Sequence, residues 1–308
     1  MKKRILSLSA ALLLFIVLVW KAPLVRLGAA QGLQLWAELL IPSLLPFFTS
    51  AGLMNRLGFT ELCGKALAPA AGKLFAVSPA GVSVFLLGLS GGYPLGSRTA
   101  AELVVQGRLE KNEAERLLAF ADNSGPAFAV GAIGLGIFQS ARWGLFLWGV
   151  HVLAAVCTGI LLSGNKKPPD SKESVLSGEA ISFGAAFAAS ADSAVRSLLS
   201  IGASVIFFCS LLPLLDKLTP ADARLNALLR GCLELSSGIG AMRGMSVTPD
   251  ALALAAFLLG WGGLCVHLQA AAVTKEAGLS LKRRFFGKLL HGILSAVLAW
   301  ALSSAILR

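Results

Sequence analysis

Long apolar runs separated by short charged loops cover most of the chain, and several of these runs are interrupted by glycine and proline. A helix needs about 20 apolar residues to cross the hydrocarbon core of a bilayer. The sharpest interruption lies in residues 86–103, LLGLSGGYPLGSRTAAEL, where Gly91, Gly92 and Pro94 come together. Unpaired backbone groups are tolerated at membrane depth only inside protein or beside a watery cavity. We interpret residues 80–106 as a re-entrant hairpin that lines a translocation site, and a short loop outside the membrane is the alternative.

The other interruptions and spans follow in an order that occurs twice. We predict an all-α polytopic membrane protein built from inverted repeats, with two re-entrant hairpins and two broken transmembrane helices. An N-terminal transmembrane helix (1–27) comes first. The first repeat (28–163) follows and contains a span, an interfacial helix (59–79), a hairpin (80–106), a broken span (114–138) and a span (143–163). After a cytoplasmic linker (164–180), the second repeat (181–308) contains a span, a hairpin (224–245), a broken span (251–273) and a final span (285–307).

Weak internal similarity supports the repeat. Residues 43–54, SLLPFFTSAGLM, align with residues 204–215, SVIFFCSLLPLL. In the span that runs from about residue 28 to residue 54, Pro42 and Pro46 predict a kink that neighbouring helices must stabilise. The only acid there, Glu38, is expected to face protein rather than lipid.

The composition and the charge agree with a membrane protein. Of the 308 residues, 56% are hydrophobic and 14% are charged, with a net charge of +11 and a mean hydropathy of +0.76. The basic residues lie in short loops beside apolar spans rather than on one face with aromatic residues, so they indicate membrane orientation and not nucleic-acid binding. Lipid is therefore an expected partner.

The distribution of lysine and arginine predicts seven full spans, with the N-terminus inside and the C-terminus outside. Most basic loop residues fall on the inside, and we place Arg284 and Lys288, at the start of the last span, among them. In this layout the two hairpins enter the membrane from opposite sides.

Motifs for catalysis, metals and nucleotides are not found in the sequence. The three histidines form no H-E-x-x-H motif, the five cysteines show no C-x-x-C spacing, and there is no Walker A loop. We therefore expect no enzyme activity, no metal and no cofactor, and the sequence does not identify a coupling ion.

Polar residues at the four interruptions are the candidate binding residues. Charged groups at membrane depth are costly and need a partner or a cavity. For Arg98 the structural alternative is an ion pair with Glu102 or Asp122. The candidate substrate-binding residues are Ser90, Gly91, Gly92, Tyr93, Pro94, Ser97, Arg98, Asn123, Ser124, Gly125, Glu234, Ser236, Ser237, His267 and Gln269.

Four short segments around these residues resemble, in the same order along the chain, the sporulation integral membrane proteins of the YlbJ type, also called SpoVV. The segments are SGGYPLGSR, DNSGPAF, LELSSG and GGLCVHLQ. That family lies within the nucleoside-transporter and FeoB gate-domain superfamily. The resemblance covers nearly the whole chain, and its most specific matches are at Gly92–Arg98 and Asn123–Phe128. One departure is Ser236, where the family pattern leads us to expect threonine.

The resemblance implies a fold similar to that of concentrative nucleoside transporters. It also implies transport of dipicolinic acid toward the forespore across the outer forespore membrane. The residues themselves indicate a small polar solute, with Arg98 and helix N-termini favouring an anion. A nucleoside carrier and a non-transporting scaffold are the alternatives, and a homo-oligomer is possible.

Overall fold

The computed structural model describes residues 2–163, 182–215 and 221–307, and the predicted linker at 164–180 lies outside them. All regular secondary structure in the described residues is helical. The helices are α1 (Lys2–Trp20), α2 (Ala22–Leu35), α3 (Ile41–Arg56), α4 (Phe59–Phe75), α5 (Pro79–Gly91), α6 (Leu95–Val105), α7 (Lys111–Leu117), α8 (Ala141–Ser163), α9 (Phe183–Leu215), α10 (Ala223–Leu233), α11 (Leu235–Gly240), α12 (Pro249–Trp261), α13 (Gly263–Thr274) and α14 (Lys282–Ile306), with π-helical segments at Trp36–Leu40 and Ala127–Leu135.

Five helical stretches in the described residues are long and apolar enough to cross a membrane, or six if a pair bent by 96° is counted. They are Ala22–Arg56, Ala141–Ser163, Phe183–Leu215, Pro249–Thr274 and Lys282–Ile306, and the bent pair is Ala66–Phe75 with Pro79–Gly91. This number is below the predicted seven. The predicted N-terminal span has a shorter apolar helix, and the segment 114–138 is non-helical from Leu118 to Gly125.

The predicted kink around Pro42 takes the form of a π-helical segment. The N–H of Ile41 donates to the carbonyl of Trp36, five residues back. Because Pro42 has no N–H, the regular ladder is interrupted just beyond this point, and a π-helical turn is a common way for a helix to absorb such an interruption. The helix continues as α3, so residues 22–56 form one long stretch.

Glu38 does not face protein, contrary to expectation. Its side chain is exposed and accepts hydrogen bonds from Gln34 Nε2 at 3.1 and 3.2 Å. Trp36, two residues earlier, faces α9 instead, and its Nε1 donates to the carbonyl of Leu198 at 2.9 Å. Residues two apart on a helix point in different directions, so only one of these two side chains reaches the interior.

The two long helical stretches, residues 22–56 and α9, pack antiparallel. Gly28 lies against Pro213 near one end, whereas Gly52 lies against Ser190 near the other. Inverted repeats would place equivalent helices in this way, because the axis relating them lies in the membrane plane. The similarity of the two halves stays a prediction.

The helices of the two hairpins are short. With 13 and 11 residues, α5 and α6 are about 20 and 16 Å long, which is less than the hydrocarbon thickness. In the second hairpin, α10 has 11 residues and α11 only six. The second arm, predicted to reach residue 245, therefore ends at Gly240.

Glu113 fixes the base of the first hairpin. Its Oε1 accepts hydrogen bonds from the N–H and the Oγ of Ser78, at 2.6 and 2.9 Å. Ser78 Oγ in turn accepts from the N–H of Gly81 and so caps α5. Burial raises the pKa of the Glu113 carboxyl above its ordinary value, and the hydrogen bonds from Ser78 oppose part of that rise.

Loops that were predicted to share a side of the membrane touch one another. At the end predicted to be inside, Arg283 Nη1 donates to Asn112 Oδ1 at 2.6 Å. At the opposite end, Arg224 Nη1 and Asp250 Oδ2 form an ion pair of 2.7 Å. These contacts agree with the predicted orientation, since each joins residues that the basic-residue bias assigned to one side.

Candidate functional site

The tip of the first hairpin meets both broken segments. Gly92, with φ of +75°, lies so close to Gly125 that a Cβ on Gly92 would come within 3.1 Å of the Gly125 nitrogen. Next to it, the Tyr93 hydroxyl donates to the carbonyl of Leu259 at 3.0 Å. The Tyr93 ring packs against Gly262, whose φ of +81° also favours glycine. These contacts join the first half of the chain to the second.

The second hairpin meets the same broken segment from another direction. A Cβ on Gly263 would come within 2.9 Å of the nitrogen of Leu235, so the backbones of the two segments touch. Leu235 follows Glu234, whose extended backbone separates α10 from α11. The two hairpin tips and the two breaks therefore converge on one region.

A cavity lies where they converge, which we call the central cavity. Its volume is about 60 Å³. That corresponds to about four to six water molecules. Both long helical stretches, both hairpin tips and both breaks contribute to its wall: Leu40, Leu44, Phe48, Gly92, Tyr93, Ser124, Gly125, Phe128, Ile201, Val205, Glu234, Leu235, Ser236, Cys265, Val266 and Gln269.

A larger cavity, which we call the side cavity, adjoins it. Its volume is about 470 Å³, and it lies among α6, α9 and α13. Ile201, Cys265 and Gln269 belong to the walls of both cavities. Among the described residues these three line both cavities, so we call them the partition between the two spaces.

Behind Tyr93 lies a fully buried ion pair. Asp122 Oδ2 accepts from Arg284 Nη2 at 2.7 Å and from Arg284 Nε at 3.1 Å, and Asp122 Oδ1 accepts from the N–H of Ser97 at 3.2 Å. The remaining arm of the guanidinium, Nη1, donates to His267 Nδ1 at 2.7 Å. One carboxylate thus connects the first hairpin, both breaks and α14.

Lys288 extends this network. Its Nζ donates to the Asp122 carbonyl and to His291 Nδ1, both at 2.9 Å, and lies 5.1 Å from the centre of the Tyr93 ring. His291 Nε2 then donates to the carbonyl of His151 at 3.0 Å. The described network thus places two basic side chains, Arg284 and Lys288, and one acidic side chain, Asp122, directly behind a cavity wall.

The network includes residues that the sequence interpretation missed. Arg284 and Lys288 were counted only among the basic residues that indicate the inside, but both are 0% exposed within α14, as is His291. Their spacing of four and three residues places all three on one face of a helix. A polar face on an apolar span was the available signal.

The predicted site residues fall into four groups. The central cavity is lined by Gly92, Tyr93, Ser124, Gly125, Glu234, Ser236 and Gln269. Pro94 and Arg98 line the side cavity, which Gln269 shares, and Ser97, Asn123 and His267 belong to the buried network. Ser90, Gly91 and Ser237 line neither cavity, and the N–H of Ser237 donates to Glu234 instead.

Arg98 makes no ion pair with any described residue. Its expected alternative partner, Asp122, is occupied by Arg284, and Arg98 is exposed on the wall of the side cavity. Neither ion pair of the structural alternative, with Glu102 or with Asp122, is formed, and Arg98 lines the side cavity rather than the central cavity.

Glu234 caps a helix. Its two carboxylate oxygens accept from the N–H groups of Ser236 and Ser237 at 2.9 and 2.5 Å. The side chain is 3% exposed and lines the central cavity. The carboxylate is thus already held by the backbone of the second hairpin.

These features define a multi-pass α-helical membrane protein whose interrupted helices surround a central cavity. The chain is similar to the sporulation integral membrane protein YlbJ of Bacillus subtilis (strain 168), with 28% identity over an alignment that covers 88% of this chain and 75% of that protein. No family model matches the chain, and no solved structure matches it.

Proposed function

We propose that this protein is a carrier that moves a small carboxylate anion across a membrane and binds it in the central cavity. The observation that carries the proposal is the convergence of both hairpin tips and both breaks on that cavity. Broken helices that meet in this way hold the substrate in many transporters. A scaffold has no need for such a cavity.

The charge distribution supports an anion. Arg284 and Lys288 outnumber Asp122 in the network behind Tyr93, and Arg98 in the side cavity has no ion pair with a described residue. Glu234 opposes this bias, but two backbone N–H groups already stabilise its carboxylate. An anion beside Tyr93 and Ser124 would lower the cost of keeping Lys288 protonated behind the wall.

The substrate we propose is dipicolinic acid, carried across the outer forespore membrane. Its support is the similarity to the Bacillus subtilis relative, a sporulation integral membrane protein, and the motif resemblance described above. A nucleoside carrier would share the fold, but its substrate would bring a neutral ribose to a wall backed by Arg284 and Lys288.

Flux into proteoliposomes containing only the purified protein tests the proposal. We expect uptake of labelled dipicolinate that unlabelled dipicolinate inhibits and uridine does not. Uridine uptake would indicate a nucleoside carrier, and no uptake of either would favour the scaffold.

A substitution at Gln269, one of the partition residues, tests whether the transported solute passes this site. Gln269→Leu removes an amide from the walls of both cavities while keeping the side chain's size. A hydrogen bond to a charged group contributes about 1.5–3 kcal/mol, so we expect a rise of about tenfold or more in the half-saturating concentration. Gln106→Leu, on an exposed glutamine that lines neither cavity, is the matched control.

A further inference from the structure

We propose that the side cavity is a second binding site for small carboxylate anions, from which the solute reaches the central cavity. This inference rests on the proposed function, but it names a separate site. It is assigned from the cavity's size, its polar wall and its partition with the central cavity.

Size is the first argument. Dipicolinate has twelve non-hydrogen atoms, whereas the central cavity has room for about four to six water molecules. The side cavity, at about 470 Å³, falls within the range of small-molecule sites. In the conformation described, the solute therefore fits the side cavity more readily than the central one.

The wall of the side cavity is polar where a membrane helix would ordinarily be apolar. Ser193, Ser197, Ser200 and Ser204 recur at intervals of four, three and four residues, and all line the cavity from one face of α9. A neighbouring face of α9 is exposed and apolar, with Leu199 at 56% and Phe207 at 42% exposure. The contrast separates a face suited to lipid from a face suited to water or a polar solute.

Arg98 gives the site its charge. It projects from α6 into the same cavity and forms no ion pair with a described residue. The other arginine in the wall, Arg196, is paired with Asp192 at 2.8 Å. A guanidinium binds a carboxylate through two parallel hydrogen bonds, so Arg98 is the group that would receive the anion.

The cavity extends from the hairpin tip toward the predicted inside. Pro94 at the tip and Ser204 lie near the partition, and Ser193 lies about 16 Å further along α9. Because the N-terminal end of α9 follows the predicted cytoplasmic linker, an anion from that side would meet the side cavity first.

Charge-selective labelling of introduced cysteines tests this inference without requiring flux. The Ser200→Cys protein in vesicles is treated with an anionic or a cationic methanethiosulfonate. Mass spectrometry of the peptide that contains residue 200 measures modification at this position separately from that of the native cysteines. We expect the anionic reagent to react faster than the cationic one, after normalisation to a free thiol in solution. Adding Arg98→Gln should reduce this preference by about threefold or more, because a nearby charge is removed from a weakly screened site. Dipicolinate should slow the reaction.

The controls are Ala203→Cys on the apolar face of α9 and Arg142→Gln, which removes an arginine outside the cavity. We expect the first to react slowly with both reagents and the second to leave the preference unchanged. If Ser200→Cys does not fold, Ser197→Cys reads the same wall. An unreactive thiol at both positions, or a preference that Arg98→Gln does not change, would overturn the second site. A charge preference in the labelling without dipicolinate flux would support the second site and refute the proposed transport. Flux without a charge preference would support the proposed transport and refute the second site.

Discussion

The carboxylate of Asp122 and the guanidinium of Arg284 form a 2.7 Å ion pair, although 162 positions separate the two residues in the chain. Both side chains are 0% exposed. Asp122 lies in the first break and Arg284 at the start of the last span, so the pair joins the two halves beside the central cavity.

Breaking this pair should destabilise the protein strongly. Asp122→Asn leaves the Arg284 charge buried without its counter-ion, and removing one partner of a buried pair costs about 3–5 kcal/mol. We expect lower abundance and a lower melting temperature in detergent. Asp192→Asn is the control, because Asp192 and Arg196 form a pair whose side chains are 62% and 77% exposed, and we expect no measurable change there. Equal melting temperatures for Asp122→Asn and the unchanged protein would contradict the structural role.

The same pair shows what sequence could and could not predict. Glycine and proline marked the breaks because their backbone effects are local, and most helices follow from apolar length. Arg284 and Lys288 were misassigned because a basic residue at the end of an apolar run has the same local pattern whether it meets water or a carboxylate from a distant segment. Packing between the two halves also decides which residues at an interruption line the central cavity. Ser124 lines it, whereas Ser90 does not.

Gly88 tests the contact between the first hairpin and the first break. A Cβ at this position would overlap the carbonyl oxygen of Ala121, which is backbone and cannot turn away. Gly88→Ala should cost about 1–3 kcal/mol and lower the melting temperature in detergent. Gly149→Ala on α8 should be neutral or slightly stabilising, since nothing lies within 4 Å of that position. Similar behaviour of the two variants would exclude close packing at Gly88.

Glu113 predicts a pH dependence of stability. Because its pKa is raised in the folded state, the folded protein favours the protonated form, and this contribution to stability falls as the pH rises above the ordinary value of 4.5. Glu113→Gln keeps an oxygen that accepts from Ser78 but does not titrate. Melting temperatures measured from pH 4 to 7 should therefore fall more in the unchanged protein than in this variant. Glu102→Gln, on an exposed glutamate, should behave like the unchanged protein, and identical pH profiles for all three would refute the prediction.

An inverted arrangement of the two hairpins, as predicted from the sequence, would give opposite accessibility at their outer ends. Single cysteines at Lys111 and Leu225, both exposed, should react with an impermeant thiol reagent from opposite sides of the membrane. Intact cells and inverted vesicles provide the two sides, and a cysteine at Asn112 should match Lys111. Labelling of Lys111 and Leu225 from the same side would refute the inverted topology.

Glu234 separates a structural role from a binding role in the second hairpin. Its carboxylate accepts from two N–H groups at the start of α11, and an amide oxygen can keep one of these hydrogen bonds. Glu234→Ala should therefore lower stability by about 1 kcal/mol or more, the usual cost of losing a helix cap, and Glu234→Gln by less. Thr248→Ala, which removes the cap of α12 outside both cavities, is the matched control for stability.

Flux decides the remaining question about Glu234. If the carboxylate acts only as a cap, Glu234→Gln removes a negative charge from the central wall, and anion uptake in proteoliposomes should persist with an equal or lower half-saturating concentration. Because one hydrogen bond of the helix cap is kept, the Glu234→Gln protein should elute from a size-exclusion column at the same volume as the unchanged protein. Loss of uptake in a Glu234→Gln protein that still melts normally would mean that the charge itself is needed, as it would be if the carboxylate held a cation during transport. Thr248→Ala should keep full uptake in the same experiment, because it changes a cap without changing the charge of either cavity.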